Sequence, residues 1–302
     1  MTKVFIDGSS GTTGLRIHER LQSRDDIELI RLEESVRKDA VCRRKALNEA
    51  DIAFLCLPDA ASVEAVSMVD AGTVIIDTST AHRTDDAWTY GFPELKGMRE
   101  RIAGSDRIAN PGCHASGFIA LVAPLVQAGI IGKDEVLSCT SLTGYSGGGK
   151  KMIEEYRSSD DVLLRAPRLY GISQRHKHIP EMMKVCGLDV QPTFCPIVAP
   201  YYSGMEVIVP LVTDRTDDIR EAYKAYYAGG LVSYKEGQDE GGFMSAITMS
   251  GRDDMVITVE GNGKNTLLVA RFDNLGKGAS GAAIQNMNIS MGVEETRGLI
   301  KE

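Results

Sequence analysis

Val4-Phe5-Ile6-Asp7-Gly8-Ser9-Ser10-Gly11-Thr12-Thr13-Gly14 is the stretch on which the reading of the fold turns. Val4-Phe5-Ile6 reads as a buried strand. Gly14 to Leu21, with apolar Leu15, Ile17 and Leu21 set among charged residues, reads as an amphipathic helix. The glycines between them serve two needs. A tight strand-to-helix turn wants backbone angles closed to other residues, and a pyrophosphate must approach the main chain with no Cβ in the way. N–H groups without helical partners then face the phosphates, and Ser and Thr hydroxyls add donors. The spacing is GxxGxxG, a weaker signal than GxGxxG, and a glycine-rich turn in any α/β protein shares it. Its place after a first strand, before a helix and upstream of a second strand predicts a dinucleotide site at Gly8, Ser10, Gly11, Thr12, Thr13 and Gly14.

Outward from this loop the pattern repeats. Ile27 to Leu32, Ile52 to Leu57 and Thr73 to Asp77 read as strands, separated by a polar helix ending near Ala50 and a helix from Ala60 to Val69. Continuous apolar strands alternating with helices predict a parallel sheet covered on both faces. The second strand ends in Arg31-Leu32-Glu33-Glu34-Ser35-Val36-Arg37-Lys38. An acidic residue there binds the ribose hydroxyls of NAD, and basic residues accommodate the extra phosphate of NADP. Both signs are present. Ser35, Arg37 and Lys38 are the expected phosphate pocket, so NADP is the expected cofactor, although each residue singly reads equally well as a solvated turn.

After Asn110 the pattern changes. A helix starts near Cys113 and runs through Phe118, Leu121 and Leu125. Val136 to Leu142, Met205 to Val212, Met255 to Val259 and Thr266 to Phe272 read as longer strands between polar loops, and Ala279 to Met291 as an amphipathic helix. The fold class is therefore α/β, with a Rossmann-type parallel-sheet cofactor domain and a second, α+β domain built on a mixed or antiparallel sheet.

Composition bounds the function. With 302 residues, 43% hydrophobic and 25% charged, the chain is long enough for two domains. A net charge of −8 argues against nucleic acid or an anionic membrane as partner, since phosphate neutralisation needs clustered Lys and Arg. No run approaches the roughly 18 apolar residues of a bilayer span, and the opening residues lack the features of a signal peptide. A cytoplasmic protein is expected. Cys42, Cys56, Cys113, Cys139, Cys186 and Cys195 then read as free thiols, and without a CxxC pair no metal site is expected.

Asn110-Pro111-Gly112-Cys113 is the most informative chemical segment. Pro111 and Gly112 shape a turn that sets Cys113 at a helix start, where the dipole and N–H groups favour a thiolate and can hold an oxyanion. Cys113 is thus the candidate nucleophile, and the other five cysteines read as structural. Arg175-His176-Lys177-His178-Ile179-Pro180-Glu181 supplies a proton partner. In an extended segment His176 and His178 point to the same side, Glu181 can orient one imidazole, and Arg175 or Lys177 can hold an anion. His114 is a rival base, ranked lower because adjacent helical residues point about 100° apart. His18 and His82 read as peripheral.

These residues resemble the N-acetyl-γ-glutamyl-phosphate reductases, relatives of the aspartate-semialdehyde dehydrogenases. The resemblance runs through the glycine loop, Asp77-Thr78-Ser79-Thr80-Ala81-His82-Arg83, Tyr90-Gly91-Phe92-Pro93-Glu94-Leu95, Asn110-Pro111-Gly112-Cys113, Gly144-Tyr145-Ser146-Gly147-Gly148-Gly149-Lys150, the His176-to-Glu181 segment, and Asp273 to Asn288. The length resembles the compact branch. The family usually carries Tyr directly after the cysteine, so His114 is a departure, and the stretch from Ser79 to Arg83 also differs.

The resemblance implies Cys113 as nucleophile, His178 or His176 as acid/base, and Gln285 and Asn286 beside the nicotinamide. It implies Asn110, Arg83, Ser146, Gly147, Lys150 and Glu181 around an acyl phosphate. The phosphate and carboxylates of such a substrate need cationic partners, for which Lys150, Arg83, Arg165 and Arg168 are the candidates. It also implies that the last helix folds back onto the cofactor domain, giving residues 1–112 and 279–302 for NADP and 113–278 for catalysis and dimerisation. Inorganic phosphate and a homodimer or homotetramer complete the expected partners. The rivals are an aspartate-semialdehyde dehydrogenase, an aminoadipate-type reductase, or an inactive NADP-sensing regulator.

Overall fold

The computed structural model describes residues 1–70 and 72–301. The chain forms two compact units, Met1–Pro111 with Ala279–Leu299, and Gly112–Gly278 with a short tail from Ile300.

The first unit begins with β1 (Thr2–Asp7), α1 (Thr12–Leu21), β2 (Ile27–Ile30), α2 (Ala40–Glu49), β3 (Ile52–Leu55), α3 (Asp59–Ser67), β4 (Val74–Asp77), β5 (Thr89–Tyr90), α4 (Met98–Ala103) and β6 (Arg107–Ala109). Its 6-stranded sheet runs β2-β1-β3-β4-β6-β5, with every neighbouring pair parallel. Period-two alternation sends successive residues to opposite faces. Val4, Ile6, Phe54 and Ile76 pack into one core with Ile17 of α1. Phe5, Ala53, Leu55 and Ile75 pack into the other with Leu47 of α2. Two apolar faces on one sheet explain why these strands read as unbroken hydrophobic runs.

The second unit contains α5 (Cys113–Gln127), β7 (Ser138–Gly144), α6 (Gly149–Ser158), β8 (Arg168–Leu169), α7 (Ile179–Cys186), β9 (Thr193–Ala199), β10 (Met205–Val212), α8 (Thr216–Tyr226), β11 (Val232–Tyr234), β12 (Met255–Asn262) and β13 (Asn265–Phe272). They build a 7-stranded sheet in the order β11-β12-β13-β10-β7-β9-β8. It is mixed: β7 with β9 and β11 with β12 are parallel, and the remaining pairs are antiparallel. The strand expected from Val136 starts at Ser138, and Val136 is exposed. Strand β9 was not foreseen, because Pro196 in its middle argues against a central strand. Its outer neighbour β8 pairs only with Ile197 and Val198; just beyond it the Tyr170 N–H donates to the Pro196 carbonyl at 3.0 Å, a bond that needs no N–H from the proline.

A π-helical turn (Gly276–Ser280) leads into α9 (Gly281–Ser290), which belongs to the first unit. The sequence predicts an amphipathic helix here, but every residue from Gly281 to Ile289 is buried. Ala283, Ile284 and Met287 join the core of Val4 and Ile17. Polar Gln285, Asn286 and Asn288 are just as buried, and each is hydrogen-bonded.

Helix α5 is the buried axis of the second unit, with Ala115 to Leu125 all inside. Gly117 lets it lie close on the sheet: a Cβ there would stand 2.5 Å from Val207 Cγ2. Pro124 in the same helix has no N–H for the carbonyl of Ala120. Tyr227 fills the gap, its hydroxyl donating to Ala120 O at 2.7 Å. Tyr227→Phe should therefore leave a buried carbonyl unsatisfied and cost about 1–3 kcal/mol. In a Pro124→Ala background, which restores the N–H, the same change should cost clearly less. Urea denaturation of the four proteins checks this, and equal costs in both backgrounds would refute it.

Candidate active site

In the first unit a cleft of about 600 Å³ lies where the chain leaves β1 and β3. The strand order places β2 on one side of β1 and β3 on the other. The loops after β1 and β3 therefore diverge and leave the crevice in which open α/β sheets bind ligands. Gly8 has φ +87°, and a Cβ on it would sit 2.3 Å from the carbonyl oxygen of Cys56. A Cβ on Gly14 would sit 2.5 Å from the carbonyl oxygen of Gly8, so the first turn of α1 packs directly on the loop. Thr12, first residue of α1, has a buried hydroxyl with no partner. An exposed main-chain cradle and an orphaned donor at a helix start fit a pyrophosphate.

Of the expected cofactor contacts, Gly8, Ser10, Gly11, Arg37 and Lys38 line this cleft, whereas Thr12, Thr13, Gly14 and Ser35 do not. Arg37 donates to Ser10 Oγ at 2.8 Å and pairs with Glu34 at 2.7 Å. Its guanidinium is thus tied to the glycine loop, where a ribose phosphate would need it. The cleft adds cations that sequence reasoning missed, Arg31 and Arg43, and also His18, which is not peripheral. Arg43 is locked by Asp7 at 3.0 and 2.9 Å. Burial holds that carboxyl above its usual range, against the pull of Arg43.

Elsewhere in this unit the polar residues are knotted together. Asn286 donates to the carbonyl of Gly91 at 3.0 Å and to Asn110 Oδ1 at 3.1 Å, while its own Oδ1 is buried with no partner. Gln285 donates to Glu94 at 2.9 Å. Asn110 donates in turn to Ala279 O at 3.1 Å. Arg83 uses Nε and Nη2 on the carbonyls of Asn110 and Thr78, a backbone-clamping geometry. His82 is buried rather than peripheral. It stacks on Trp88 at 4.1 Å and bonds Asp77, a buried carboxylate that also accepts from Ser62 and Ser79.

In the second unit Cys113 is the first residue of α5, with Gly112 as extended N-cap. Glu181, buried in the first turn of α7, accepts the Gly112 N–H at 3.2 Å and faces His178 Nε2 at 4.0 Å. The segment of His176 and His178 is not extended as expected: His178 is helical, with φ −87° and ψ −12°, and caps α7. A turn brings the rings together instead, 4.8 Å apart. The His178 N–H donates to His176 Nδ1 at 3.2 Å, which leaves the proton of a neutral His176 on Nε2. Burial and then Lys177 push the His176 imidazole down to about 4.

His114 completes the cluster. Its ring lies 5.6 Å from both His176 and His178. Its Nδ1 is 2.7 Å from Ser141 Oγ and its Nε2 is 2.6 Å from the Tyr170 hydroxyl. Burial, helped by His176 and Lys177, pushes it down to about 3.

Residues 3–105 match the semialdehyde dehydrogenase NAD binding domain, and residues 113–274 match the semialdehyde dehydrogenase dimerisation domain. N-acetyl-gamma-glutamyl-phosphate reductase 2 of Nostoc is 44% identical over 318 residues, covering 98% of this chain and 99% of that protein. The N-acetyl-gamma-glutamyl-phosphate reductase of Brucella anthropi is 45% identical over 307 residues, covering 96% and 98%. The chain belongs to the semialdehyde dehydrogenase family, among its N-acetyl-γ-glutamyl-phosphate reductases. Aspartate semialdehyde dehydrogenase II of Vibrio cholerae, complexed with ASA, aligns with a TM-score of 0.73 at 18% identity, covering 96% of this chain and 98% of that one. At that identity the likeness speaks for the fold alone, and it agrees with the two-part α/β architecture expected from the sequence.

Within the second unit, Ser146 is buried and accepts from Asn274 Nδ2 at 2.9 Å, while Gly147 and Lys150 are exposed near the start of α6. Arg168 lies against Tyr156 and keeps a buried Nε without a partner. Sequence reasoning missed Ser141, Tyr170 and Gly278. A Cβ on Gly278 would press on Cys113 Cβ at 2.9 Å. Nothing in the sequence links Ser141 or Tyr170 to His114; they meet only through packing. The remaining thiols are less uniform than expected: Cys139 and Cys186 are buried, but Cys42, Cys56 and Cys195 are partly exposed. Burial raises the Cys139 and Cys186 thiols.

The depressed His114 has a consequence for stability. Between about pH 6.5, where an unfolded histidine titrates, and its folded value of about 3, the unfolded chain binds the extra proton. Stability is full above this window and falls as pH drops through it, by about 1.4 kcal/mol per pH unit for this one group. His114→Gln should flatten the acid limb by that slope in urea denaturation between pH 6 and 4.5. An unchanged slope would show that His114 is not held neutral.

Proposed function

We propose that the chain catalyses the NADP-dependent reductive dephosphorylation of N-acetyl-γ-glutamyl phosphate to N-acetylglutamate 5-semialdehyde. The observation that carries this reading is the Cys113–Gly112–Glu181–His178 arrangement: a partly exposed thiol begins a buried helix, and one carboxylate joins the preceding turn to an imidazole. The names of relatives more than 40% identical along nearly the whole chain support the substrate.

The Cys113 thiolate, favoured by the helix start, attacks the acyl carbonyl. A C–S bond forms, the carbon–oxygen bond to phosphate breaks, and inorganic phosphate leaves. The thioester carbonyl is electrophilic enough for hydride, whereas a carboxylate is not. The cleft lined by Gly8, Ser10, Gly11, Arg37 and Lys38 would hold NADPH, which when bound would supply that hydride. His178 protonates the resulting oxyanion and takes the proton back as the C–S bond breaks and the aldehyde departs. Geometry supports His178 over His176 in this role, since the Glu181 carboxylate faces His178 Nε2 at 4.0 Å, while burial pushes His176 down to about 4.

Arg37 and Lys38, with Arg31 and Arg43, are the proposed holders of the NADP phosphates. Asn286 Oδ1 is the proposed acceptor for the nicotinamide amide, because it is buried without a partner. Lys150 and Arg168 are the proposed cations for substrate charges. Residues 1–112 and 279–302 form the proposed cofactor domain and 113–278 the catalytic one. A cytoplasmic homodimer or homotetramer is proposed, supported by the dimerisation-domain match and by exposed Leu169 on the edge strand β8.

The test is phosphate-dependent reduction of NADP⁺ with N-acetylglutamate semialdehyde, with aspartate semialdehyde as control. Cys113→Ala should lower kcat by at least about 10³-fold; normal turnover would remove the mechanism. Arg37→Ala should raise KM for NADP⁺ more than for NAD⁺, and equal effects would defeat the phosphate pocket.

A further inference from the structure

His114, Ser141 and Tyr170 form a hydrogen-bonded chain that the mechanism above does not use. Ser141 is fully buried in β7, and among the described residues its hydroxyl meets only His114 Nδ1, at 2.7 Å. Tyr170 is half-buried, with its hydroxyl 2.6 Å from His114 Nε2 and its ring 5.7 Å from that of His176. His114 follows Cys113 directly at the start of α5. The chain therefore runs from the sheet, through a buried imidazole, to a phenol beside the histidine cluster.

The protons in this chain can be assigned from satisfaction alone. A neutral imidazole has one donor and one acceptor nitrogen. If Nδ1 donated to Ser141, the serine hydrogen would be buried with no acceptor, at a cost of about 1–3 kcal/mol. Ser141 therefore donates to Nδ1, and the ring proton sits on Nε2. Nε2–H donates to the phenolic oxygen of Tyr170. The phenol's own hydrogen is then turned away from His114 and is free for another acceptor. Burial holds His114 neutral and, together with charge on Cys113, raises the Tyr170 phenol, so both stay in these protonation states at neutral pH.

We propose that Tyr170 is a catalytic hydrogen-bond donor to the acyl carbonyl oxygen carried by Cys113, with His114 as the positioning residue that aims its hydrogen. This rests on the reading of Cys113 as nucleophile. No proton is transferred: the phenol stabilises the oxyanion as it develops, and the acid/base work stays with His178. The donor is of the oxyanion-hole kind, in which loss of one donor costs about 10²-fold in kcat.

The experiment uses the full chain in the phosphate-dependent assay, with iodoacetamide alkylation of Cys113 measured by mass spectrometry alongside. Tyr170→Phe, which keeps the ring, should lower kcat about 10²-fold, leave KM for the semialdehyde within about threefold, and leave the alkylation rate of Cys113 unchanged. His114→Leu should lower kcat similarly, and should add nothing in the Tyr170→Phe background. His114→Gln, whose amide N–H can stand in for Nε2–H, should retain more activity than His114→Leu. Wild-type kcat in Tyr170→Phe overturns the proposal. So does alkylation that slows in step with kcat, because the phenol would then be acting on the thiol. Equal loss in His114→Gln and His114→Leu overturns the assigned tautomer. The nucleophile reading is judged separately: if Cys113→Ala turns over normally, that reading fails on its own account, whatever Tyr170→Phe does.

Discussion

A buried carboxylate is a burden unless its oxygens are occupied. Glu181 occupies both: one oxygen takes the Gly112 N–H, and the other faces the His178 ring. That pairing fixes the start of α5 against the start of α7, so the thiol and the imidazole share a reference point. The rest of the second unit serves the same end. Pro180 at the first turn of α7 presets its entry, and Gly187 in the left-handed conformation closes it after eight residues. Remove the carboxylate, and a helix start and a histidine lose their common anchor.

Helix α5 can carry this load because it is immobilised on all sides. Close contact at Gly117 brings it onto the sheet, and Tyr227 repairs the carbonyl that Pro124 leaves open. A helix apolar all round is a buried helix, and here the burial keeps Cys113 and His114 in register with Ser141 on β7. The first unit solves a different problem with the same economy of atoms. Its loop exposes main chain at the cleft, where Gly8 gives up a side chain that would collide with the Cys56 carbonyl, and Arg37 is tied to the loop by Ser10.

What the sequence made legible follows from which forces are local. The glycine loop could be read because φ +87° at Gly8 and the close approach at Gly14 demand glycine whatever surrounds them. The start of α5 could be read because a Pro-Gly turn and an apolar run mark it. The grouping of His176 with His178 was right, but its stated geometry was not: a helix cap, not an extended strand, brings the rings together. Ser141, Tyr170 and His114 meet only through sheet and loop packing, and nothing in their spacing announces it. Helix α9 misled for the opposite reason. Its Gln and Asn residues suggested a wet face, yet each finds a partner inside the unit. His18 and His82 looked incidental because one serves a cleft and the other a buried carboxylate, both assembled from distant segments.

Helix α9 closes the first unit although it lies at the far end of the chain. Ala283, Ile284 and Met287 fill a core whose other half, Val4, Ile17 and Phe54, was made at the beginning. On a ribosome, that half must wait while the whole second unit is synthesised. During this delay one apolar face of the parallel sheet is only partly covered, by Ile17 and Leu21 of α1 and Ile102 of α4, and Asn110 lacks its Asn286 partner. The nascent protein is therefore most vulnerable to aggregation late in translation, when it is nearly full length but its first-made portion is still open.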